Sequence, residues 1–131
     1  MVIAQTTNTG RISITEQGIR MRCPKCDAEM DEVKCDDVDV DRCSDCGGIW
    51  FDRGEAETLS SQWIAEFIDT GDVEVGMEKD GEDTVPCPRC GETMKRHFDI
   101  EASHLQFEQC DEHGKFFDAG EFTLWAKNQY L

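Results

Sequence analysis

The sequence predicts a small metal-stabilised α+β protein made of two β-hairpin units, each followed by a helix. Three observations carry this prediction. The 131 residues contain eight cysteines, most of them in C-x2-C pairs. The pattern around these pairs occurs twice along the chain. Only 38% of the residues are hydrophobic, and a unit of about 50 residues buries too little apolar surface to be stable without a metal or disulfides.

The first unit, residues 23–69, contains two C-x2-C pairs whose separation suits one tetrahedral metal site. The predicted ligands are Cys23, Cys26, Cys43 and Cys46. Four protein ligands close such a site, which indicates a structural role and leaves no open position for catalysis. Zinc is the expected ion, and a rubredoxin-like iron centre is the alternative at this first site.

Two strands are expected between these pairs, over residues 29–35 and 38–42. Alternation places Val38 and Val40 on an inward face, beneath the metal site. The opposite face would be almost wholly acidic, through Asp37, Asp39 and Asp41. After the second pair, Ile49, Trp50 and Phe51 form the largest apolar cluster nearby and are predicted to cover a small core.

A helix is predicted from about Arg53 to Asp69. Asp52 and Glu55 match a capping box, with Asp52 as the N-cap residue and Glu55 three positions into the helix. Apolar residues then follow at helical spacing, and Gly71 ends the pattern. These residues are Ala56, Leu59, Trp63, Ile64, Phe67 and Ile68.

Two further segments lie outside the repeated units. Residues 1–22 form an N-terminal segment in which alternating apolar positions predict a β-hairpin. Residues 70–86 combine three glycines with many carboxylates and are predicted to be an acidic linker. Val73, Val75 and Met77 alternate within this linker, which is the pattern of an added strand.

The second unit, residues 87–131, repeats the first with C-x2-H in place of the second C-x2-C pair. Its predicted metal ligands are Cys87, Cys90, Cys110 and His113. Imidazole among the ligands suits zinc. Glu121 repeats the capping position of Glu55, and a short helix follows it.

The long form of this pattern resembles the transcription-factor-IIB-type zinc ribbon domain. Residues 23–59 carry C-P-x-C, then C-x2-C-G-G-hydrophobic-W, then an acidic-Gly-Glu helix start. Residues 87–125 resemble a diverged copy, with His113 in the last ligand position and Phe116 where Trp50 stands. The resemblance implies two zinc-ribbon-like units and two Zn²⁺ ions as cofactors, and it implies no particular activity.

Five other residues are candidates for chemistry or recognition. Cys35 is expected to be a buried spacer, since the carboxylates beside it disfavour a nucleophilic thiolate. His97 and His104 are expected on the surface, or else across a hairpin where they would bind a further metal. Trp63 and Trp125 lie at helical core spacing, and exposed aromatic residues on so small a protein would alternatively anchor a partner.

The charge balance restricts the partners. Asp and Glu outnumber Lys and Arg by 29 to 13, giving a formal net charge of −16, and ligating thiolates make it more negative. Such a field repels phosphate backbones and favours basic partners, although general solubility is an alternative explanation. The N-terminal residues do not form a signal peptide, and no segment reaches the ~20 apolar residues of a membrane span, so we expect a soluble cytoplasmic protein.

We therefore expect a non-enzymatic adaptor that binds a basic protein partner through acidic faces, including that of residues 36–41. Direct nucleic-acid binding in transcription or translation is the first alternative, and Arg20, Arg22 and Lys25 form the one modest basic cluster for it. A metal carrier or an accessory subunit of an enzyme is the second alternative. The oligomeric state stays open.

Overall fold

The structure is a computed structural model that describes residues 12–15, 18–35, 38–60, 62–79, 84–98 and 105–128. The strands are β1 (Ile12–Thr15), β2 (Gly18–Met21), β3 (Met30–Cys35), β4 (Val38–Cys43), β5 (Ile49–Asp52), β6 (Lys95–Phe98), β7 (Gln106–Cys110) and β8 (Gly114–Phe117). The helices are α1 (Glu55–Thr58), α2 (Gln62–Ile68), α3 (Val73–Lys79) and α4 (Glu121–Asn128). Among the described residues, no helix is both long and apolar enough to cross a membrane.

One six-stranded antiparallel sheet contains strands from both cysteine-rich units. The strand order is β3-β4-β5-β8-β7-β6, so each unit contributes three strands and the units meet where β5 pairs with β8. Trp50 of β5 pairs with Phe116 of β8, and these residues hold the same position in their respective units. Equivalent strands that pair antiparallel at equivalent residues relate the two units by an approximate two-fold axis. The strands β1 and β2 form a separate two-stranded sheet.

Helices α1, α2 and α4 cover one face of the six-stranded sheet, whereas α3 packs through Val75 against the cluster on the other face. Successive residues of a strand point to opposite faces, and Ile49 and Phe51 both belong to the core on the helix side. The Phe51 ring lies 4.3 Å from that of Phe122 in α4, between centroids. Trp125 is buried in this core and its ring lies 5.5 Å from that of Phe117. The prediction that Trp125 is a core residue is therefore confirmed.

The opposite face of the sheet carries the cysteine-rich loops. Trp50 and Phe116 are fully buried there, together with Met30 and Met94 and with cysteines from both units. The metal ligands therefore share one apolar cluster with the central strand pair. The described residues form three layers, which are helices α1, α2 and α4, the sheet, and the two metal-binding loops together with α3.

The prediction that the β4 valines lie beneath the metal site is wrong. Val40 is fully buried in the core on the helix side, and Cys43 lies in the cluster on the other face. Residues 40 and 43 differ by an odd number of positions, and the two-residue period of a strand places them on opposite faces.

The single helix predicted from Arg53 to Asp69 is divided into α1 and α2. The break follows Leu59, the C-terminal cap residue of α1, whose N–H donates to the Glu55 carbonyl oxygen. The Ser60 hydroxyl donates to the Glu57 carbonyl oxygen at 3.0 Å. A serine that bonds to nearby backbone competes with helix continuation, which explains the interruption.

Residues 73–79 form helix α3, so the expectation of an added strand in the linker is wrong. The Asp72 carboxylate accepts a hydrogen bond from the Glu74 N–H at 2.9 Å and satisfies one donor of the first turn. Gly76 packs directly on the backbone of Ala119, and a Cβ at Gly76 would overlap the Ala119 carbonyl oxygen. This close approach to the second unit favours a helix over the strand that the alternation suggested.

Candidate metal centres

The four cysteines of the first unit meet in one group. All the sulfur atoms of Cys23, Cys26, Cys43 and Cys46 lie within 4.8 Å of one another. The Cys23 and Cys46 sulfurs are 3.8 Å apart, and those of Cys26 and Cys43 are 3.2 Å apart. Tetrahedral Zn–S bonds of about 2.3 Å place sulfurs roughly 3.8 Å apart, so the group fits a zinc ion.

The backbone around the first group is arranged for thiolates. The Cys43 sulfur accepts N–H groups from Asp45 at 3.3 Å and from Cys46 at 3.4 Å. The thiols share these interactions unequally: hydrogen bonds with Cys23 and Cys46, and then these N–H groups, lower the pKa of the Cys43 thiol, whereas the hydrogen bond with Cys43 raises the pKa of Cys23. Asp27 supplies the left-handed backbone that follows the first pair, with φ of 66°.

The second unit brings together three cysteines and one histidine. These ligand atoms, from Cys87, Cys90, Cys110 and His113, also lie within 4.8 Å of one another. The Cys90 and Cys110 sulfurs are 3.9 Å apart, and the Cys110 sulfur is 3.4 Å from His113 Nδ1. Three thiolates and one imidazole are a common ligand set of structural zinc. Each group would hold its ion with four protein ligands.

The two groups differ in exposure. In the first group, Cys23, Cys43 and Cys46 are buried. In the second group, only Cys87 is buried, and its three other ligands are half-buried. An open cavity of about 410 Å³ lies beside this second group. It is lined by Cys90, Glu92, Cys110, Asp111 and Glu112. The second group is therefore the more accessible to solutes.

A buried lysine connects the first metal-binding loop to the second unit. Lys25 lies between Cys23 and Cys26, and its Nζ donates to Asp118 Oδ2 at 2.6 Å and to the Lys79 carbonyl oxygen at 3.1 Å. Nζ also lies 3.2 Å from Glu108 Oε2, and the side chain has no exposed surface. Burial lowers the pKa of Lys25. The nearby carboxylates of Asp118 and Glu108 raise it by more than burial lowers it, so the net shift is upward. The ammonium stays charged.

The second metal-binding loop makes the equivalent contact with the first unit. Arg89 stands at the position of Lys25, and Asp52 stands at the position of Asp118. Arg89 Nε and Nη2 donate to the two Asp52 oxygens at 2.8 Å each. The two units therefore exchange reciprocal ion pairs, of which the Arg89 pair is 39% exposed on each side.

This contact corrects the predicted helix cap. The N-cap residue of α1 is Gly54, with φ of 87° and no side-chain cap, because the Asp52 carboxylate is bound to Arg89 and to the Trp50 indole N–H. Glu55 makes the predicted contact, since its carboxylate accepts the Asp52 N–H at 3.0 Å, but it is the first residue of α1 rather than the third.

Glu121 makes the matching contact in the second unit. Its carboxylate accepts the Asp118 N–H at 3.3 Å. The capping role predicted for Glu121 is therefore confirmed.

The acidic face of β4 lies on the metal side of the sheet. Burial raises the pKa of Asp41 to about 6; Arg89 acts in the opposite direction, and Asp52 and Glu32 raise it further. On the face predicted to be acidic, Asp41 is thus half-buried near Arg89 of the second metal-binding loop, whereas Asp39 is exposed. Asp36 and Asp37 lie outside the described residues.

The remaining candidates lie apart from the metal ligands. Cys35 is buried in the core on the helix side, which confirms the predicted spacer role. His97 is half-buried and stacks on Phe107 at 5.3 Å between centroids, rather than lying on the surface. His104 and the Trp63 side chain lie outside the described residues, so a second metal site involving His104 stays a hypothesis.

Sequence reasoning missed Lys25, Asp118 and Glu108 as a buried group. The repetition of a base between the first two cysteines, Lys25 in one unit and Arg89 in the other, was the available signal. The partners of each base lie in the other unit, so a local sequence pattern could not identify them.

The fold and the two four-ligand groups define a small protein of the zinc-ribbon class, in which paired ribbons share one sheet. Residues 22–62 match the family model of the TFIIB-type zinc ribbon, described as a transcription factor zinc-finger. The match covers the first ribbon and less than half of the chain. The second ribbon is supported by its own ligand group and by the shared sheet. No curated protein and no solved structure matches the chain.

Proposed function

We propose that this protein is a non-catalytic adaptor that binds a basic protein partner through its acidic surface. The observation that carries the proposal is the burial of Lys25 in an internal ion pair. Lys25 belongs to the basic cluster on which nucleic-acid binding would depend. With Lys25 enclosed, the acidic residues dominate the available charge.

Other basic side chains also make contacts within the protein. Arg42 Nη1 donates to the Ile68 carbonyl oxygen at 2.7 Å. Lys115 Nζ lies 2.6 Å from Glu57 Oε2. Nucleic-acid-binding surfaces need clustered, accessible Lys and Arg. Because these basic side chains contact groups of the same chain, they are less available to a phosphate backbone, which supports a protein partner.

The ligand sets support a scaffolding role. Each group offers four protein ligands, and a catalytic zinc keeps a position open for water or substrate. Zinc would fix each metal-binding loop, and each loop holds the opposite ribbon through Lys25 or Arg89. The result is a rigid platform on which acidic side chains and helices are displayed.

The test is affinity capture from the native cell with tagged, zinc-loaded protein, followed by identification of the captured proteins. We expect a basic protein that is enriched with zinc and lost with a chelator. As a control, Cys23→Ser with Cys87→Ser disrupts both metal groups and should capture only background. Enrichment of background proteins alone would contradict the proposal. Binding to DNA or RNA that falls steeply with salt would favour the nucleic-acid alternative.

A further inference from the structure

Three exposed apolar side chains lie on α3 and α4. Val73, Met77 and Leu124 are 55%, 66% and 40% exposed. Five large apolar side chains of the described residues are exposed; the other two, Phe67 on α2 and Phe98 on β6, lie on different elements. We refer to Val73, Met77 and Leu124 as the α3–α4 patch.

The residues of the patch are connected through Val73, which contacts the start of α4. The Val73 side chain packs over Gly120, where a Cβ would lie 2.9 Å from Val73 Cγ2. The Leu124 N–H donates to the Gly120 carbonyl oxygen, which places Leu124 one turn further along α4. Met77 lies one turn beyond Val73 on α3. The missing side chain at Gly120 therefore lets Val73 pack against the start of α4, and Met77 and Leu124 each lie one turn from this contact.

The helices that carry the patch are held in place by internal contacts. Gly76 packs on the backbone of Ala119, on the side of α3 that faces the second ribbon. The carbonyl oxygen of Lys79, the last residue of α3, accepts the buried Lys25 ammonium. These contacts fix α3 while Val73 and Met77 stay exposed. The side chains of Val73 and Met77 are therefore exposed on a helix that is packed in a defined position.

The charges around the patch are distributed unevenly. Asp72, Glu74 and Glu78 are exposed on or beside α3. On α4, the exposed base Lys127 follows Leu124 by about one turn. A ligand that covers the patch would therefore meet negative charge along α3 and a positive charge near the end of α4.

We propose that the α3–α4 patch is the docking site for a basic amphipathic helix of the partner. Apolar residues of that helix, spaced one turn apart, would contact Val73, Met77 and Leu124, which is the usual way in which a helix binds a groove. Its Lys or Arg residues would face Glu74 and Glu78. This inference rests on the proposed function and locates the contact.

Charge decides between this occupant and a second copy of the same chain. Another copy would present its own Glu74 and Glu78 around the same apolar residues, and like charges disfavour that contact. A basic amphipathic helix would contact the apolar patch with its apolar face and would pair its Lys or Arg residues with Glu74 and Glu78. We therefore assign the patch to a partner of opposite charge.

The test uses a synthetic helical peptide with leucines on one face and lysines beside them, titrated into the zinc-loaded full chain. A peptide of the same composition in shuffled order controls for charge alone. The patch variant is Met77→Ser with Leu124→Ser. The matched control is Phe98→Ser, which removes an apolar side chain that is 68% exposed on β6. Zinc content and circular dichroism check that each variant is folded.

We expect the amphipathic peptide to bind at least about tenfold more weakly to the patch variant, as for the loss of central contacts in an interface. Phe98→Ser should bind within about twofold of the unmodified protein, a difference well under 1 kcal/mol. In nuclear magnetic resonance spectra, the amide shifts should concentrate at residues 73–79 and 120–127.

Three results would overturn the docking site. The first is equal binding of the amphipathic and shuffled peptides, and the second is absence of binding by either peptide. The third is concentration-dependent self-association that the patch variant loses, which would assign the patch to a second copy. None of these decides whether a basic protein is captured from the cell, so failure of the docking site and failure of the proposed function are distinguishable.

Discussion

Lys25 of the first ribbon and Asp118 of the second form a buried ion pair, with Nζ 2.6 Å from Oδ2 and almost no exposed surface on either side chain. Arg89 and Asp52 make the equivalent pair in the opposite direction, and that pair is partly exposed. The reciprocal pairs join each metal-binding loop to the other ribbon. The zinc sites and the interface between the ribbons are therefore parts of one structure.

Replacement of Lys25 by Met should destabilise the protein far more than replacement of Arg89 by Met. Loss of a buried partner leaves carboxylates in a low-dielectric interior, which costs about 3–5 kcal/mol. The exposed Arg89 pair should contribute less than about 1 kcal/mol. Denaturant unfolding of both zinc-loaded variants measures the difference. Equal losses would show that burial of the Lys25 pair is not decisive.

Asp69 caps α4 from outside that helix. Its carboxylate accepts N–H groups from Gly120 at 2.8 Å and Thr123 at 3.0 Å. Replacement of Asp69 by Ala should remove about 1–2 kcal/mol of stability and speed amide exchange in α4. Glu66→Ala, at an exposed position of α2, is the control and should change stability by less than about 0.5 kcal/mol. Similar effects of the two substitutions would rule out the cap.

The two zinc ions should leave at different rates. The second group has three half-buried ligands beside an open cavity, whereas three of the four ligands in the first group are buried. Excess chelator should remove one equivalent several-fold faster than the other, as followed with a colorimetric zinc indicator. Cys110→Ser should abolish the fast phase, and Cys46→Ser should abolish the slow phase. Loss of the fast phase in Cys46→Ser would reverse the assignment.

Complete zinc removal should unfold both ribbons together. Folding energy from a structural zinc is on the order of 10 kcal/mol, and the ribbons share the β5–β8 strand pair and one apolar cluster. Circular dichroism during chelation should show loss of strand and helix signals in the same transition as loss of the last zinc. A folded apo protein would contradict the prediction.

Gly76→Ala should displace α3 from the second ribbon. A methyl group there overlaps the Ala119 carbonyl oxygen, and such overpacking costs about 1–3 kcal/mol, partly offset by the better helix propensity of alanine. Glu78→Ala in the same helix is exposed and serves as the control. Thermal unfolding compares the two variants, and a Gly76→Ala protein that is as stable as the control would exclude a close contact at Ala119.

Features that depend on short stretches of chain could be predicted from the amino-acid sequence alone. The two C-x2-C pairs indicated the first metal group, and the repeat indicated the second with His113 as its last ligand. The hydrogen bonds of Glu55 and Glu121 to the N–H groups of Asp52 and Asp118 were predictable because each bond joins residues only three positions apart. Local spacing was sufficient for these predictions, because the groups that interact lie within one turn or one hairpin of the chain.

The way in which the two ribbons meet could not be predicted from local sequence patterns. The pairing of β5 with β8 joins strand edges through backbone groups that every residue carries, so no side-chain pattern specifies it. That pairing brings Lys25 to Asp118, takes Asp52 from its predicted capping role and gives α3 a surface to pack on. These contacts join residues that are distant in sequence. They stabilise the protein only when both ribbons are folded and paired.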